Sequence, residues 1–194
     1  MKPAMTRVFT FIGGTSGPWK VEKVRCLAGA PMRVAERISV RSELVAEAIP
    51  ERASGVTWVL SGATSNDRYV ERHEKSALAD RQQGLGRDAA VCAALIPIRK
   101  TVEWWLLAQD ERRAIFEAQS RHIAIGMEYL PAIARRLHHC RDLGLDAPFD
   151  FLTWFEFAPE DEAAFESLLL ELRASAEWQY VDREIEFRLR RDPL

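Results

Sequence analysis

At 194 residues, with 47% hydrophobic and 29% charged side chains, the chain can withdraw roughly 70% of its unfolded surface from water, which excludes collagen, coiled coil and disordered tail. Lys plus Arg number 27 and Asp plus Glu 29, a net charge of −2, so no bulk field recruits nucleic acid or an acidic membrane and any bound anion must be met by a local charge. Cys26, Cys92 and Cys140 form no CxxC pair, and no signal-like or membrane-length apolar run is present; together these predict a cytoplasmic, reducing setting without a disulfide framework or thiolate zinc site.

The chain opens with short β segments, Arg7 to Ile12 and Trp19 to Leu27, punctuated by Gly13-Gly14, Gly17-Pro18 and Gly29. A polar stretch follows. Val56 to Leu60 is β-branched and aromatic, and Ser65-Asn66-Asp67 offers cap chemistry for a helix from about Arg68 to Arg81 that ends at Gly84 and Gly86. Ala89 to Ile98 is a continuous apolar run, as expected of a strand covered on both faces. The recurrence of Ile115, Gln119, His122, Gly126 and Tyr129 predicts one helix from near Asp110 to Tyr129, stopped by Pro131. Strands at Ile133 to Cys140 and Phe149 to Phe157 come next, then a helix from Pro159 to about Ser175 with an apolar stripe of Phe165, Leu168, Leu169 and Leu172. Val181 to Leu189 alternates apolar with charged residues and predicts a half-exposed last strand.

From residue 89 onward this order is that of a split βαβ, ferredoxin-like unit, with helices on one face of an antiparallel sheet. The first half looks like a degenerate copy. The expected class is therefore α+β, with a shortened N-terminal half (1–88) and a C-terminal half (89–194) packed as one unit, their uncovered sheet faces buried against each other.

Four histidines leave little material for a histidine-rich metal site. His138 and Cys140 share one strand face at i, i+2 and read as ordinary strand residues unless ligands arrive from elsewhere, while His73 lies on a charged helix face. His122 sits between Gln119 and Gly126, where the glycine leaves room for something flat and bulky such as a haem; by spacing alone, however, it reads first as a core histidine with its ring hydrogen-bonded, since one histidine is weak evidence for a ligand. Arg135 and Arg136 are adjacent on a strand, so one points to each face, and the inward guanidinium demands an anion, either a protein carboxylate or a substrate. Trp104-Trp105, Trp154 and Trp178 read as core or contact residues, and no GxGxxG, P-loop, GxSxG or HExxH is present.

Longer stretches carry a resemblance. Glu103-Trp104-Trp105, Asp110 to Arg113, His122-Ile123-Ala124-Ile125-Gly126, Tyr129-Leu130-Pro131, Ala134 to Leu143, Phe149 to Glu156, and Glu177-Trp178 with Tyr180 to Glu184 together resemble the short-chain, dimeric lineage of the haem-dependent chlorite dismutases. The likeness extends upstream through Ser65-Asn66, Arg68-Tyr69, Gln82 and Leu85-Gly86-Arg87 and is loose over the first forty or fifty residues.

The resemblance implies a dimeric α+β barrel of two ferredoxin-like halves, a homodimer with one haem b per subunit, and chlorite as a small anionic substrate. It implies His122 as proximal iron ligand, Glu177 as the carboxylate on its other ring nitrogen, and Lys100 as the lysine bound to that carboxylate. Arg135 takes the place of the distal arginine and Gln82 that of a distal glutamine, Arg68 and Tyr69 look like propionate contacts, and Trp104 and Trp105 like cavity walls. The implied reaction yields chloride and dioxygen through a ferryl haem, with Arg135 retaining hypochlorite or chlorine monoxide until the O–O bond forms, and detoxification of chlorite as its use. Coproheme decarboxylation, dye-type peroxidation and a non-catalytic haem-binding module are the competing readings; an arginine at 135 speaks against the decarboxylases, which place other residues there.

Overall fold

The computed structural model of the chain describes residues 8–43, 54–64, 76, 80–81, 83–144 and 146–192. Eight strands close into one antiparallel barrel: β1 (Val8–Gly14), β2 (Trp19–Ala28), β3 (Arg37–Glu43), β4 (Val56–Ala63), β5 (Cys92–Lys100), β6 (Ala134–His139), β7 (Phe151–Phe157) and β8 (Val181–Arg191). Around the barrel the order is β1-β3-β2-β8-β5-β7-β6-β4. Each half therefore repeats the same arrangement, its fourth strand beside its first, then third, then second, which is the ferredoxin-like order. The two sheets join where β2 pairs with β8 and where β4 meets β6 through Ala63 and His139.

Between β5 and β6 lie α1 (Val102–Leu106), α2 (Gln109–Arg113), a π-helical turn (Ala114–Gln119) and α3 (His122–Glu128). Between β7 and β8 lies α4 (Glu162–Arg173). The barrel interior is filled by Phe9, Phe11, Trp19, Leu95, Trp154 and Phe187, because period-two strands send alternate side chains inward. Outside the barrel, Phe165, Leu168, Leu169 and Leu172 of α4 cover Ala94, Ile96, Phe155 and Phe157. β1 is buried along its whole length between β3 and β4. Gly13 is required there, since a Cβ would stand 2.2 Å from the Trp58 ring that crosses its backbone.

Four expectations need correction or limitation. β3 emerges from the stretch that patterning leaves polar, because its apolar signal is confined to Ile38 and Val40. The long helix expected from Asp110 to Tyr129 is interrupted: Arg121 takes a left-handed conformation (φ 51°) and α3 begins afresh at His122. Of the helix expected from Arg68 to Arg81, Ser76, Asp80 and Arg81 are helical and the rest, with His73, lies outside the described residues.

The last strand is not half-exposed: Glu184, Glu186 and Arg188 on its charged face are buried. Arg173 from the end of α4 bonds Glu184 at 2.6 Å and Glu186 at 2.5 Å, Arg188 bonds Glu186 at 2.6 Å and Glu166 at 2.7 Å, Arg25 of β2 also pairs with Glu186, and the Trp178 indole donates to Glu184 at 2.8 Å. Burial alone would raise the Glu186 carboxyl, but the three guanidinium groups outweigh it and hold its pKa at about 2, below its ordinary 4.5. Because the folded value is the lower one, this stabilisation is complete above pH 4.5 and is lost as pH falls toward 2. Urea unfolding across that window is expected to show a shallower pH dependence in Glu186→Gln than in the wild type.

Candidate functional site

The site is assembled on the outer sheet face of the C-terminal half, where α3 lies over β6. Left-handed Arg121 turns the chain so that His122 opens α3, and the Glu117 carboxylate accepts from the Ile123 backbone N–H at 2.7 Å, satisfying a donor at the new helix start. The His122 ring stacks on Phe116 of the π-helical turn, centroids 4.3 Å apart at 21°. Its Nδ1–H donates to Glu177 Oε2 at 2.7 Å. Lys100 Nζ donates to the other oxygen, Glu177 Oε1, at 2.6 Å. Glu177 sits in the 3₁₀ turn Ala176–Tyr180 that precedes β8, with its backbone N–H on Ser120 Oγ at 2.8 Å.

Glu177 and Lys100 are both buried. Burial pushes the Glu177 carboxyl upward, yet its attraction to His122 and Lys100 and the hydrogen bonds both donate outweigh that cost and hold it at about 2. It is therefore a carboxylate at neutral pH. A buried anion on Nδ1 fixes the imidazole tautomer, raises its basicity and leaves Nε2 as the donor nitrogen. One imidazole so arranged, beside a sheet face that carries Phe151, Phe155 and Leu137, could hold a haem through a single protein nitrogen. On that face β6 and β7 pair Arg135 with Phe155, Leu137 with Thr153 and His139 with Phe151; Leu137 is 43% exposed, between half-buried Arg135 and buried His139.

Arg135 reaches from this face to α3. A Cβ on Gly126, one turn beyond His122, would stand 1.8 Å from Arg135 Nη1, so the guanidinium rests on the bare helix backbone. The gap that Gly126 leaves is thus occupied by a side chain of the protein. Burial draws the Arg135 pKa down from 12.5 to about 10, which still leaves a full positive charge at neutral pH. Gly126→Ala is expected to drive the guanidinium off α3, because carbon contacts need about 3.5 Å, and a crystal structure of the variant checks this.

Arg136 points the other way, into the barrel, over the Phe9 ring at 3.8 Å and donating from Nε to His138 Nε2 at 3.1 Å. His138 Nδ1–H donates to the Leu152 carbonyl at 2.9 Å, and burial drives its pKa down to about 3. With both ring nitrogens engaged, and with burial raising the Cys140 thiol to about 12, the His138–Cys140 face is ordinary barrel interior. Trp104 is buried against Tyr180, with Lys100 Nζ 4.7 Å above its ring. Trp105 is half-buried, stacked on Phe151 at 6.0 Å and covered by the Arg141 guanidinium at 4.1 Å. Arg68, Tyr69 and Gln82 lie outside the described residues. Sequence reasoning missed Phe116, Glu117 and Asp150; of these Glu117 stands close before the helix it caps, which is a readable signal.

Fold and site together define an α+β-barrel protein of two ferredoxin-like halves whose second half presents a carboxylate-backed histidine and, against the same helix one turn on, an arginine guanidinium. The family described as chlorite dismutase matches residues 37–191. The chain belongs to the chlorite dismutase family. It is similar to a dimeric chlorite dismutase of Nitrobacter winogradskyi in its crystal structure, with 49% identity and TM-score 0.84 over 95% of this chain and 99% of that one. A chlorite dismutase of Ideonella dechloratans is 32% identical over 129 residues, 66% of this chain and 42% of that protein, so the matched region spans less than half the length of this curated relative. A mutant chlorite dismutase of Candidatus Nitrospira defluvii, crystallised with cyanide, shares the fold at 18% identity and TM-score 0.69, over 96% of this chain and 91% of that one. No helix among the described residues is long and apolar enough to cross a membrane.

Proposed function

We propose that the chain is a haem b-dependent chlorite dismutase converting chlorite to chloride and dioxygen, with one haem in each subunit of a homodimer. The observation that carries this reading is the juxtaposition of the Arg135 guanidinium with α3 one turn from His122, whose Nδ1 is held by the Lys100-paired Glu177. The likeness to the dimeric Nitrobacter winogradskyi protein supports the homodimer. Free Cys26, Cys92 and Cys140 accord with a reducing, cytoplasmic setting, and detoxification is the role that fits. The division into halves is proposed at residues 88 and 89, between two sets of four strands in the same order.

Haem iron, when bound, supplies the redox chemistry. His122 would hold it through Nε2, with the ring proton kept on Nδ1 by Glu177. Lys100 neutralises Glu177 from the far side, so the carboxylate stays anionic and fixed while buried. Chlorite carries one negative charge, and Arg135 meets it with a fixed cation in weakly screening surroundings. The overall reaction takes both oxygens of chlorite into dioxygen and leaves chloride, so electrons balance without an external reductant or proton. What the protein must do is keep the chlorine–oxygen fragment from diffusing away before the O–O bond forms. A guanidinium with a pKa of about 10 serves by attraction and orientation rather than by proton transfer. Gln82 is proposed to steady Arg135, Arg68 and Tyr69 to contact the propionates, and Trp104 and Trp105 to form the wall.

The test is to purify the chain with hemin, record the Soret spectrum and follow oxygen release on adding chlorite. A Soret band with stoichiometric oxygen supports the reading; haem uptake without oxygen reduces the protein to a haem-binding module, and a colourless protein removes the reading altogether.

A further inference from the structure

The loop before β7 places Asp150 under the site. Its side chain is 7% exposed, and its backbone is tied on both sides, accepting from Cys140 N at 2.9 Å and donating to the Ile98 carbonyl at 2.8 Å. The carboxylate then gathers three donors from three segments. Oδ2 accepts from the Lys100 backbone N–H at 2.7 Å and from the Trp105 indole at 3.3 Å, and Oδ1 accepts from Arg141 Nη1 at 3.3 Å. Pairing of β5 with β7 ends at Ile98 and Phe151, and the register of β5 against β8 shifts between Arg99 and Lys100. The Lys100 amide thus lies beyond the β5–β7 ladder, and Asp150 supplies its acceptor. The same guanidinium that pairs with Oδ1 covers the Trp105 ring, which also stacks on Phe151 of the sheet face of the site and lies 5.5 Å from the Arg112 guanidinium.

We propose that Asp150 is a positioning residue that holds the Lys100 end of the lysine–glutamate–histidine chain and the Trp105 wall in one frame. The inference rests on the haem reading of His122. Lys100 reaches Glu177 from a backbone that Asp150 pins, so the 2.6 Å contact of Nζ with Oε1, and through it the aim of Oε2 at His122 Nδ1, depends on where Asp150 keeps residue 100. Replacing one carboxylate oxygen by an amide N–H₂ sets a donor against Lys100 N–H, Trp105 Nε1–H or Arg141, whichever way the group turns. The strand end then relaxes, Nζ no longer anchors Oε1, Oε2 turns off the line to His122 Nδ1 and the imidazole loses anionic character.

The test compares holoenzymes of wild type, Asp150→Asn and Arg141→Gln by haem transfer to excess apomyoglobin and by the iron–histidine stretching band of the ferrous form. Asp150→Asn is expected to lose haem about five-fold faster than wild type, less than the 10–100-fold typical of a direct partner of a ligand, with the band moved to lower frequency. Arg141→Gln, a change at a 54% exposed side chain that lets the carboxylate swing from Lys100, is expected to give about a two-fold change in the same direction. It decides the matter alone if Asp150→Asn does not fold. A merely structural role would lower the melting temperature and leave the band where it is; that result, or wild-type haem loss in both variants, overturns the inference. Failure of the wild type to take up hemin would instead overturn the haem reading beneath it.

Discussion

His122→Ala is expected to leave a folded barrel that no longer retains haem: after incubation with hemin and gel filtration, the Soret band of the wild type should be absent. The ring is 24% exposed and contributes one stack on Phe116 and one hydrogen bond to Glu177, so its loss leaves the two core clusters untouched. Glu177 keeps its ion pair with Lys100, so no unpaired buried charge is created. Circular dichroism should therefore remain native while the cofactor is lost. An unchanged Soret band would refute the assignment of His122 as ligand.

Arg135→Ala is expected to do the reverse, keeping haem and losing control of the substrate. The variant removes a cation but no proposed iron ligand, and it relieves a guanidinium whose pKa burial has drawn down to about 10. Loss of one preorganised charge at the reacting centre typically costs about 100- to 1,000-fold in rate, and kcat/KM for chlorite should fall within that range. Escaped oxidant should bleach the haem sooner and lower the oxygen released per chlorite. Arg135→Lys should fall between the two, since it restores the charge without the planar fork. Oxygen yield and Soret lifetime equal to wild type would remove Arg135 from the mechanism.

Much of this architecture is legible without coordinates, for identifiable reasons. The C-terminal strands and α4 announce themselves because a covered strand is continuously apolar and a helix on a sheet needs a stripe, as in the run from Cys92 to Ile98 and in Phe165, Leu168, Leu169 and Leu172. β3 escapes notice because Ile38 and Val40 alternate with polar residues over too short a span to register. The break at Arg121 carries neither glycine nor proline, so nothing local marks the left-handed residue that starts α3 at His122. In β8, alternation reports that two faces differ; it cannot report that Arg25, Arg173 and Arg188 bury the charged one. Asp150 falls inside the strand expected from Phe149 to Phe157, and nothing local marks the donors that its carboxylate gathers once that strand begins at Phe151 instead.

What the amino-acid sequence determined by itself is the alternation of strands and helical segments in the C-terminal half, the placing of a histidine and a glycine one turn apart, and an arginine on each face of β6. Local periodicity dictates these, because each depends on neighbours within a turn or a pleat. Tertiary structure decided the rest: that His122 meets Glu177 from 55 positions away, that Lys100 meets the same carboxylate from 77, and that the Arg135 guanidinium lies on Gly126. Those contacts form only when β8 closes against β5 and α3 folds back over β6, and burial then makes each charge depend on a partner that no local pattern names.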